Sequence, residues 1–482
     1  TTGSVDAEIF GITSSTQNIA EGYLFVALQG AKFDGHDFAA EALEKGAVAI
    51  LGQSGSKFQL SLDNSFSSCF IACDDPRSAY PKLCSIYYNK QPEMIAGITG
   101  TNGKSSVAEF TRQLWSFHSL SAASLGTLGL VMENLIQKTN LTTPDPAELY
   151  SLVERIAESN ITHLALEASS HGLDQHRLDY LDIGIAAFTN LSRDHLDYHK
   201  NMRDYLLAKT LLFSDLLKNN GTAVINADDE NYSHIISSLN SAKTSVIDYG
   251  TRAKTLRLLG RKAVLDGQII DLEVFGKKRT VKLNLVGGFQ VSNALCALGI
   301  AIASGVDDDK GLEYLEKLKG VRGRLELAGK RTNGASIYID YAHTPDALKN
   351  VLTALRNHTS GRLKLVFGCG GERDIGKREE MGRVASRFAD EIIITDDNPR
   401  NEDPKGIRDQ IVKFVSGATV IANRREAIKN AIFNLAANDV LIIAGKGHEG
   451  VQQIGASSFP FDDVVVAKSM IESVNNLDKK SE

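Results

Sequence analysis

Short apolar runs alternate with longer amphipathic stretches along the chain. The runs read EKGAVAIL, HLALEAS, IGIAAFTNL, GTAVINAD, LKLVFG, EIIITD and DVLIIAGKG. Runs of this kind are typical of buried parallel strands, and the amphipathic stretches between them are typical of helices. Between residues 245 and 285 the pattern changes to short alternating segments, such as AVLDGQIIDLEVF, that predict β-hairpins inserted into a domain. The sequence therefore predicts an α/β protein with parallel sheets.

Two segments divide this pattern. Residues 88–94 (YNKQPEM) are polar and precede a new strand, and residues 318–329 (LKGVRGRLELAG) are rich in Gly and Arg and precede another. A chain of 482 residues is long enough for two to four domains of roughly 100–200 residues each. The sequence predicts three domains, over residues 1–92, 93–325 and 326–482.

Composition excludes several classes of protein. No run of about 18 apolar residues occurs, so the sequence predicts no membrane span. The net charge of -6 argues against nucleic acid as a partner. The first residues lack the basic and apolar regions of a signal peptide, which favours the cytoplasm. The five cysteines match no zinc or redox spacing and are expected to be reduced and mostly buried: Cys69, Cys73, Cys84, Cys296 and Cys369.

Residues 97–106 (GITGTNGKSS) are the strongest local motif. An apolar strand precedes them, and VAEFTRQLW after them has apolar residues at helical spacing. A strand, a Gly-rich loop and a helix together direct backbone N–H groups toward an anion. Lys104 would then bind the outer phosphates, and Ser105 would coordinate Mg²⁺. Five residues rather than four separate Gly97 from Gly103, so a plain Gly-rich turn is the alternative. A phosphate loop alone does not separate a ligase from a kinase or a switch.

Polar residues also follow other predicted strands of the middle domain. Glu167 ends one strand and His195 follows another. Ligands bind at the carboxyl ends of strands in open α/β sheets, and both side chains suit a metal ion between phosphates and a substrate. Taken singly, each could be a capping or surface residue. Lys209 lies on the apolar face of the helix predicted for MRDYLLAKTLLF, where a lysine commonly extends to solvent; a carbamylated lysine is the alternative.

Nine motifs occur in register over essentially the whole chain: GITGTNGKSS, LTTPDP, EASSHGLDQHRL, NLSRDHLDYHKNMRDYLLAK, GRLE, DYAHTPDAL, GERDIGKR, DNPR and GKGHE. Together they closely resemble the Mur ligases. The resemblance implies a UDP-binding N-terminal α/β domain, a central P-loop ATPase domain and a C-terminal Rossmann-like domain that binds an amino acid. It implies a monomeric enzyme that uses ATP and a pair of Mg²⁺ ions to form an amide through an acyl phosphate, in peptidoglycan precursor synthesis.

The resemblance also implies roles for individual residues around ATP. The nucleotide-binding residues would be Gly100, Thr101, Asn102, Gly103, Lys104, Ser105, Ser106, Asn293, Arg324 and Asp340. The metal site would comprise Ser105, Glu167, His195 and Lys209, the last as an N6-carboxylysine. Catalytic roles would fall to Lys104, His195, Lys209, Arg324 and His343.

A second set of residues would bind the UDP-N-acetylmuramoyl-dipeptide substrate. By resemblance it comprises Ser15, Thr142, Thr143, Ser169, Gln175 and Arg177. An arginine and several hydroxyls suit a pyrophosphate and carboxylates. The segment FVALQGAKFDGHDF resembles a uridine-contacting segment of the family. Where the family usually has Asp-Ser-Arg, this chain has Ser14-Ser15-Thr16, so the uridine contacts would differ here.

The amino-acid substrate is predicted from one arginine. Members of the family add either meso-diaminopimelate or L-lysine, and only diaminopimelate has a second carboxylate at its far end. Arginine binds a carboxylate through two hydrogen bonds and would repel a lone ammonium. Arg400 in DNPR matches the diaminopimelate-adding members. The predicted contacts are Arg373, Asp397, Asn398, Pro399, Arg400, Gly445 and Glu449, with Glu449 facing the distal ammonium.

Three alternatives stay open at this point. A lysine-adding Mur ligase would share almost every motif. A ligase like folylpolyglutamate synthase shares the phosphate loop and the modified lysine, but it lacks DNPR and the uridine-binding domain. An inactive ATP-binding regulator would be expected to lose Lys104, His195 or Lys209, all of which are present.

Overall fold

The computed structural model describes residues 6–30, 33–61, 68–133, 135–264 and 267–481. Its strands form three large sheets and one small hairpin, and every parallel strand pair lies in one of the large sheets. The prediction of an α/β fold with parallel sheets is confirmed. Within the described residues, no helix is long and apolar enough to cross a membrane.

The first sheet is parallel throughout, with strand order β1-β2-β3-β4. Its strands are β1 Gly11–Thr13, β2 Tyr23–Val26, β3 Ala47–Gln53 and β4 Cys69–Cys73. Its helices are α1 Ala39–Glu44, α2 Lys57–Ser61 and α3 Pro76–Tyr87, with 3-10 turns at Thr16–Asn18 and Gly35–Phe38. The apolar sides of β2 and β3 pack on α1 through a small core that includes Phe25, Ile50 and Phe70.

The second sheet has the order β15-β14-β13-β12-β11-β10-β5-β9-β6-β7-β8. Its strands are β5 Met94–Thr99, β6 Ala122–Gly126, β7 Gly129–Met132, β8 Leu135–Gln137, β9 His163–Glu167, β10 Ile183–Phe188, β11 Thr222–Asn226, β12 Ser245–Gly250, β13 Leu256–Val264, β14 Gly267–Val274 and β15 Lys277–Leu283. Its helices are α4 Lys104–Phe117, α5 Pro146–Glu158, α6 Ser170–Asp174, α7 Met202–Leu211, α8 Tyr232–Ser237, α9 Gly288–Ala303 and α10 Asp308–Leu315.

The centre of this sheet is parallel and its two edges are antiparallel. The hairpins predicted between residues 245 and 285 are confirmed as β13, β14 and β15, and they extend the same sheet through a short parallel pairing of β13 with β12. Helices α4 and α9 cover one face, and the side chains of Phe110, Leu114 and Trp115 are fully buried there. The apolar residues at helical spacing in VAEFTRQLW therefore form a buried face of α4.

The third sheet has the order β16-β17-β21-β18-β19-β20 and is parallel except at β16. Its strands are β16 Glu326–Lys330, β17 Ser336–Asp340, β18 Leu363–Phe367, β19 Glu391–Ile394, β20 Thr419–Val420 and β21 Val440–Ala444, and the separate hairpin comprises β22 Val451–Ile454 and β23 Ser457–Pro460. Its helices are α11 Pro345–Arg356, α12 Gly376–Phe388, α13 Pro404–Val412, α14 Arg424–Phe433 and α15 Asp463–Ser481.

The cysteines behave as the sequence predicted. All five are free thiols; four are buried, and Cys73, at the end of β4, is half-buried. Burial raises the pKa of the Cys369 thiol to about 12, so this thiol stays protonated at neutral pH. The buried cysteines contribute to packing.

Candidate active site

The phosphate loop lies between β5 and α4, as the sequence predicted. Gly97 belongs to β5, so the turn itself begins at Gly100. Gly100 has φ +145° and Gly103 has φ +90°, conformations that side chains with a Cβ rarely adopt. A Cβ at Gly103 would lie 2.5 Å from Oδ1 of Asn293, a predicted nucleotide-binding residue. The structure therefore brings Asn293 on α9 against the loop, although these residues are far apart in sequence.

Two lysine ammonium groups meet at one carbonyl of this loop. Lys104 Nζ donates to the backbone oxygens of Gly100 at 2.8 Å and Thr101 at 2.9 Å. Lys209 Nζ, on α7, donates to the same Gly100 oxygen at 2.8 Å. Lys209 is only 1% exposed, so the expectation that a lysine on this helix face extends to solvent is wrong here. Burial, and then the charge of Lys104, hold the pKa of Lys209 well below its usual range.

Glu167 ends β9 next to the loop and has no basic side chain bonded to it among the described residues. It is 2% exposed, and its carboxylate accepts the Thr127 N–H at 2.8 Å and the Thr127 hydroxyl at 3.1 Å. A Cβ at Gly126 would lie 2.2 Å from Oε1, so only glycine leaves room for the carboxylate. A buried carboxylate of this kind requires a cation or further donors.

The donor set fits Mg²⁺ held mainly by phosphates. Ser105, Glu167 and His195 offer a hydroxyl, a carboxylate and an imidazole. Among the described residues, no group of three or more His, Cys, Asp or Glu side chains could hold a metal ion without help. Mg²⁺ commonly binds through one or two protein carboxylates, with nucleotide phosphates and waters as the remaining ligands. When bound, the ion would neutralise phosphate charge.

Asp194 links the histidines of two domains. Its Oδ2 lies 3.5 Å from Nε2 of His195 and 3.6 Å from Nε2 of His343 in the third domain. Burial alone would raise the pKa of Asp194, but the hydrogen bond and charge of His343 and the charge of His195 hold it well below the usual range. Burial lowers the pKa of His195 to about 3, so its imidazole is neutral at pH 7 and able to bind a metal ion.

Arg324 reaches from the segment before β16 back to the start of α4. Its Nη2 donates to Ser105 Oγ at 3.1 Å, and its guanidinium lies 4.4 Å from the centre of the Tyr341 ring. Asp340, at the end of β17, accepts the backbone N–H groups of Leu325 and Ala342 at 2.6 and 2.7 Å. Arg324 therefore contacts the start of α4 at the phosphate loop, and Asp340 lies beside it through the Leu325 N–H.

Asp340 gives a testable dependence of stability on pH. Burial raises its pKa from 3.8 to about 6. A carboxyl group with a raised folded-state pKa stabilises the fold fully below its unfolded pKa, and this contribution is lost as pH rises through the folded value. Between pH 4 and pH 7, we expect the free energy of unfolding of the wild type to fall by about 2–3 kcal/mol relative to Asp340→Asn. Urea denaturation of both proteins across this range measures the difference.

An exposed aspartate provides the control for this experiment. Asp409→Asn removes a carboxylate that lies on the surface of α13 and pairs with Lys405. We expect its stability to follow the wild type from pH 4 to pH 7. Parallel pH profiles for the wild type and Asp340→Asn would contradict the assignment of a raised pKa to Asp340.

The predicted amino-acid residues converge at the carboxyl ends of three adjacent strands. β21, β18 and β19 are neighbours in the third sheet, and the loops that follow them contact one another. Arg400 Nη1 donates to Gly371 O at 2.8 Å, joining the loops after β19 and β18. Asn398 Nδ2 donates to Glu449 Oε2 at 2.8 Å, joining the loops after β19 and β21. A Cβ at Gly445 would lie 2.6 Å from the Asp397 carboxylate.

The backbone around Arg400 is fixed by the hairpin of β22 and β23. Arg400 has φ +52°, its N–H donates to Gln453 O at 3.2 Å, and its carbonyl accepts Gly455 N–H at 2.7 Å. Pro399 precedes it in the chain. Arg373 Nη1, in the loop after β18, lies 3.7 Å from Oδ2 of Asp197 in the second domain. The predicted amino-acid residues therefore lie beside a contact between two domains.

The predicted residues of the second substrate form a connected group on the other side of Glu167. Arg177 donates to Thr143 O and to Gln175 Oε1, both at 2.7 Å. Thr143 Oγ1 donates to Glu167 O at 2.7 Å and accepts Ser169 N–H at 3.0 Å. Thr142 joins this group through a 3.1 Å contact between its hydroxyl and that of Thr127.

Ser15 lies apart from this group. Its hydroxyl caps the turn that begins at Thr16, at 3.3 Å from Gln17 N. The neighbouring Ser14 donates to Asp145 of the second domain at 2.9 Å, which ties this turn to the end of the LTTPDP motif. Further along the predicted uridine segment, a cavity of about 400 Å³ is lined by Gln29, Gly30 and Arg77, among others. Residues 31 and 32 of that segment lie outside the described residues.

Sequence reasoning missed two residues of the site. Asp194 precedes His195 and lies within ion-pair distance of both histidines, and the sequence analysis assigned it no role. Lys446 lies between two glycines directly after β21, and its ammonium donates to Asn398 and Glu449. The available signal was the same in both cases: a charged residue at the carboxyl end of a buried strand.

The phosphate loop, the start of α4 that Arg324 contacts, and Asp194 with His343 of the third domain lie where two domains meet, an arrangement that fits an enzyme acting on a bound nucleotide. The chain belongs to the Mur ligase family, which is ATP-dependent. The part described as "Mur ligase family, catalytic domain" matches residues 8–101, "Mur ligase middle domain" matches residues 98–301, and "Mur ligase, glutamate ligase domain" matches residues 323–447. This chain is therefore a ligase.

Several relatives share one name, UDP-N-acetylmuramoyl-L-alanyl-D-glutamate--2,6-diaminopimelate ligase. The relative from Zymomonas mobilis subsp. mobilis is 43% identical over 470 residues, which are 97% of this chain and 95% of that protein. The relative from Agrobacterium fabrum is 45% identical over 456 residues, 95% of this chain and 92% of that protein. A solved structure with the same name is 34% identical, has a TM-score of 0.67, and the match covers 98% of this chain and 97% of that one.

Proposed function

We propose that this Mur ligase adds meso-2,6-diaminopimelate to UDP-N-acetylmuramoyl-L-alanyl-D-glutamate with hydrolysis of ATP to ADP, in the synthesis of peptidoglycan precursors. The observation that supports it most is the convergence of Arg400, Asn398 and Glu449 at one end of a sheet that faces the phosphate loop. The names and the high identity of the full-length relatives support the same reaction.

The reaction proceeds in two steps that the residues can assist. The glutamate carboxylate of the nucleotide substrate attacks the γ-phosphorus of ATP, and the bond to ADP breaks, which yields an acyl phosphate. The amino group of diaminopimelate then attacks the acyl carbon; phosphate leaves and the nitrogen loses a proton. The first step brings two anions together and the second releases phosphate as an anion, so catalysis depends mainly on positioning and charge neutralisation. Lys104 and Arg324 supply positive charge at the loop, and His343 of the third domain lies beside Asp194.

Mg²⁺ and a modified Lys209 complete this proposal. Ser105, Glu167 and His195 would hold the ion against the phosphates. Lys209 is buried with a lowered pKa, which favours its neutral amine. A neutral amine reacts with carbon dioxide to give a carbamate and a proton, and the carbamate oxygens would add anionic metal ligands. The modification would also place a negative charge close to Lys104, which bonds to the same Gly100 carbonyl as Lys209.

The pocket favours diaminopimelate over lysine on chemical grounds. In the described contacts, Arg400 uses one N–H of its guanidinium on Gly371 O, which leaves donors for a substrate carboxylate. L-Lysine offers no carboxylate at that end, and its ammonium would be repelled. The same proposal assigns a role to each domain: UDP binding to residues 1–92, ATP binding to residues 93–325 and amino-acid binding to residues 326–482. It also includes action as a monomer and a location in the cytoplasm.

The test is an assay of phosphate release with purified protein, ATP and Mg²⁺. We expect release only when UDP-N-acetylmuramoyl-L-alanyl-D-glutamate and an amino acid are both present, with kcat/KM roughly 10²-fold higher for meso-diaminopimelate than for L-lysine. Mass spectrometry of the product identifies the added residue. A preference for lysine would refute the assignment of the acceptor, and release without any acceptor would refute the ligase reaction.

A further inference from the structure

Lys446 lies behind the amino-acid pocket and is fully buried. A buried ammonium is stable only when its three N–H donors find acceptors. Nζ donates to Asn398 Oδ1 at 3.0 Å, to Glu449 Oε2 at 2.9 Å and to Val451 O at 2.6 Å. The three acceptors come from the loop after β19, the loop after β21 and strand β22. One side chain therefore connects all the segments that bear the predicted diaminopimelate contacts on this side.

This ammonium fixes the orientation of the Asn398 amide. Oδ1 accepts from Lys446 Nζ and also from Gln453 N–H at 3.0 Å, so Nδ2 must point the other way, toward Glu449. Glu449 Oε2 thus accepts from both Lys446 and Asn398. Among the hydrogen bonds of the described residues, Oε1 of Glu449 accepts none, and it is the oxygen left for a substrate.

The charges of the pocket follow from these contacts. Buried Lys446 and partly exposed Glu449 form an ion pair, whereas none of the ion pairs of the described residues involves Arg400. A side chain that ends in an ammonium and a carboxylate suits this arrangement, since its carboxylate would meet Arg400 and its ammonium would meet one oxygen of Glu449. A side chain that ends in an ammonium alone would bring a cation near Arg400 with no carboxylate to pair with it, and is disfavoured.

We infer that Lys446 is a positioning residue which neutralises Glu449 and thereby sets the preference of the pocket for diaminopimelate over lysine. The inference rests on the proposed function. Without Lys446, the charges of Glu449 and Arg400 would cancel, and an ammonium would bind Glu449 more strongly. The same loss would free Asn398 and Glu449 to rotate, which weakens the binding of diaminopimelate.

Lys446→Met tests this inference with little disturbance of the fold. Methionine is one atom shorter than lysine and fills most of the same space, Glu449 Oε2 keeps the Asn398 donor, and Asn398 Oδ1 keeps the Gln453 donor. Steady-state phosphate release with each amino acid gives kcat and KM. We expect KM for diaminopimelate to rise about tenfold, and the ratio of kcat/KM for lysine to that for diaminopimelate to rise roughly 30-fold. We expect KM for ATP to stay within about twofold of the wild-type value, since Lys446 makes no contact with the phosphate loop.

Lys364 provides the matched control. It is 8% exposed, lies in β18 of the same sheet at the opposite end, and donates to Asn434 O at 2.7 Å beside Glu391 and Asp439. Lys364→Met removes a buried lysine of the same domain, so we expect a lower Tm. We expect the ratio of kcat/KM for lysine to that for diaminopimelate to be unchanged. An equal change of the ratio in both variants would assign the effect to general destabilisation and overturn the inference.

Two further variants test the role of charge. Lys446→Arg keeps the charge, so we expect the preference for diaminopimelate to remain even where turnover falls. The double variant Lys446→Met/Glu449→Gln lacks the Glu449 carboxylate that Lys446→Met leaves without its ion pair, so we expect no increase in kcat/KM for L-lysine. A gain with lysine in that double variant, or an unchanged ratio in Lys446→Met, would overturn the inference. The proposed function fails separately, if the wild type itself does not use diaminopimelate.

Discussion

Lys104→Met is expected to lower kcat for acceptor-dependent ADP formation by roughly 10³-fold. The side chain folds back over the phosphate loop, with Nζ 2.8 Å from Gly100 O and 2.9 Å from Thr101 O. In the proposed reaction it would supply positive charge where the attacking carboxylate and the γ-phosphate approach each other. Methionine preserves the stem but removes the charge. Measurement of ADP formation with both substrates saturating isolates the chemical step from binding.

The fold is expected to survive this change. Gly100 O keeps the donor from Lys209, and the loop keeps its backbone bond from Thr101 N to Asn190 O at 2.8 Å. Lys317→Met is the control, because Lys317 is exposed on the same domain, and we expect wild-type turnover for it. A loss of less than about tenfold in Lys104→Met would contradict the placement of the γ-phosphate at this loop.

Arg400→Ala is expected to lower kcat/KM for diaminopimelate by roughly 10²–10³-fold, since it removes a guanidinium able to form two charge-assisted hydrogen bonds with the distal carboxylate. The same change should leave kcat/KM for L-lysine unchanged or higher, because a repulsive charge disappears. The preference between the two amino acids would then be abolished. Parallel assays with both amino acids measure the ratio directly.

Arg387→Ala is the matched control for this experiment. Arg387 is an exposed arginine of the same domain, on α12, and its guanidinium lies over the Phe388 ring. We expect the ratio of kcat/KM for diaminopimelate to that for L-lysine to be unchanged in this variant. Arg400→Lys adds a stricter comparison, since an ammonium keeps the charge but lacks the planar pair of donors, and we expect only part of the activity with diaminopimelate to return. An Arg400→Ala enzyme that still prefers diaminopimelate would refute the role of the guanidinium.

Local patterns in the sequence predicted the elements that position the site. The phosphate loop, with β5 before it and α4 after it, follows from a strand, two glycines with positive φ and a helix with a buried face. The hairpins before residue 285 follow from alternation with a period of two. The pairing of β13 with β12, which joins those hairpins to the parallel sheet, has no local signal because it depends on contacts between distant strands.

The environment of Lys209 shows the limit of local reasoning. Its helical spacing is compatible with a side chain that reaches solvent, and only the packing of α7 against the phosphate loop buries its ammonium. Asp194 and Lys446 are similar cases. Each is a single charged residue in a loop that follows a strand, and the partners that give it a role lie in another loop or another domain.

The sequence by itself determined the α/β class, the phosphate loop and the family resemblance, and it predicted the arginine that would favour diaminopimelate, because each depends on residue types at short spacing. The tertiary structure decided which side chains meet: Lys104 with Lys209, Arg324 with Ser105, and Lys446 with Asn398 and Glu449. The physical reason is that desolvation and charge pairing depend on distances between atoms remote along the chain. Those distances are set by the order of strands in each sheet and by the packing of one domain on the next.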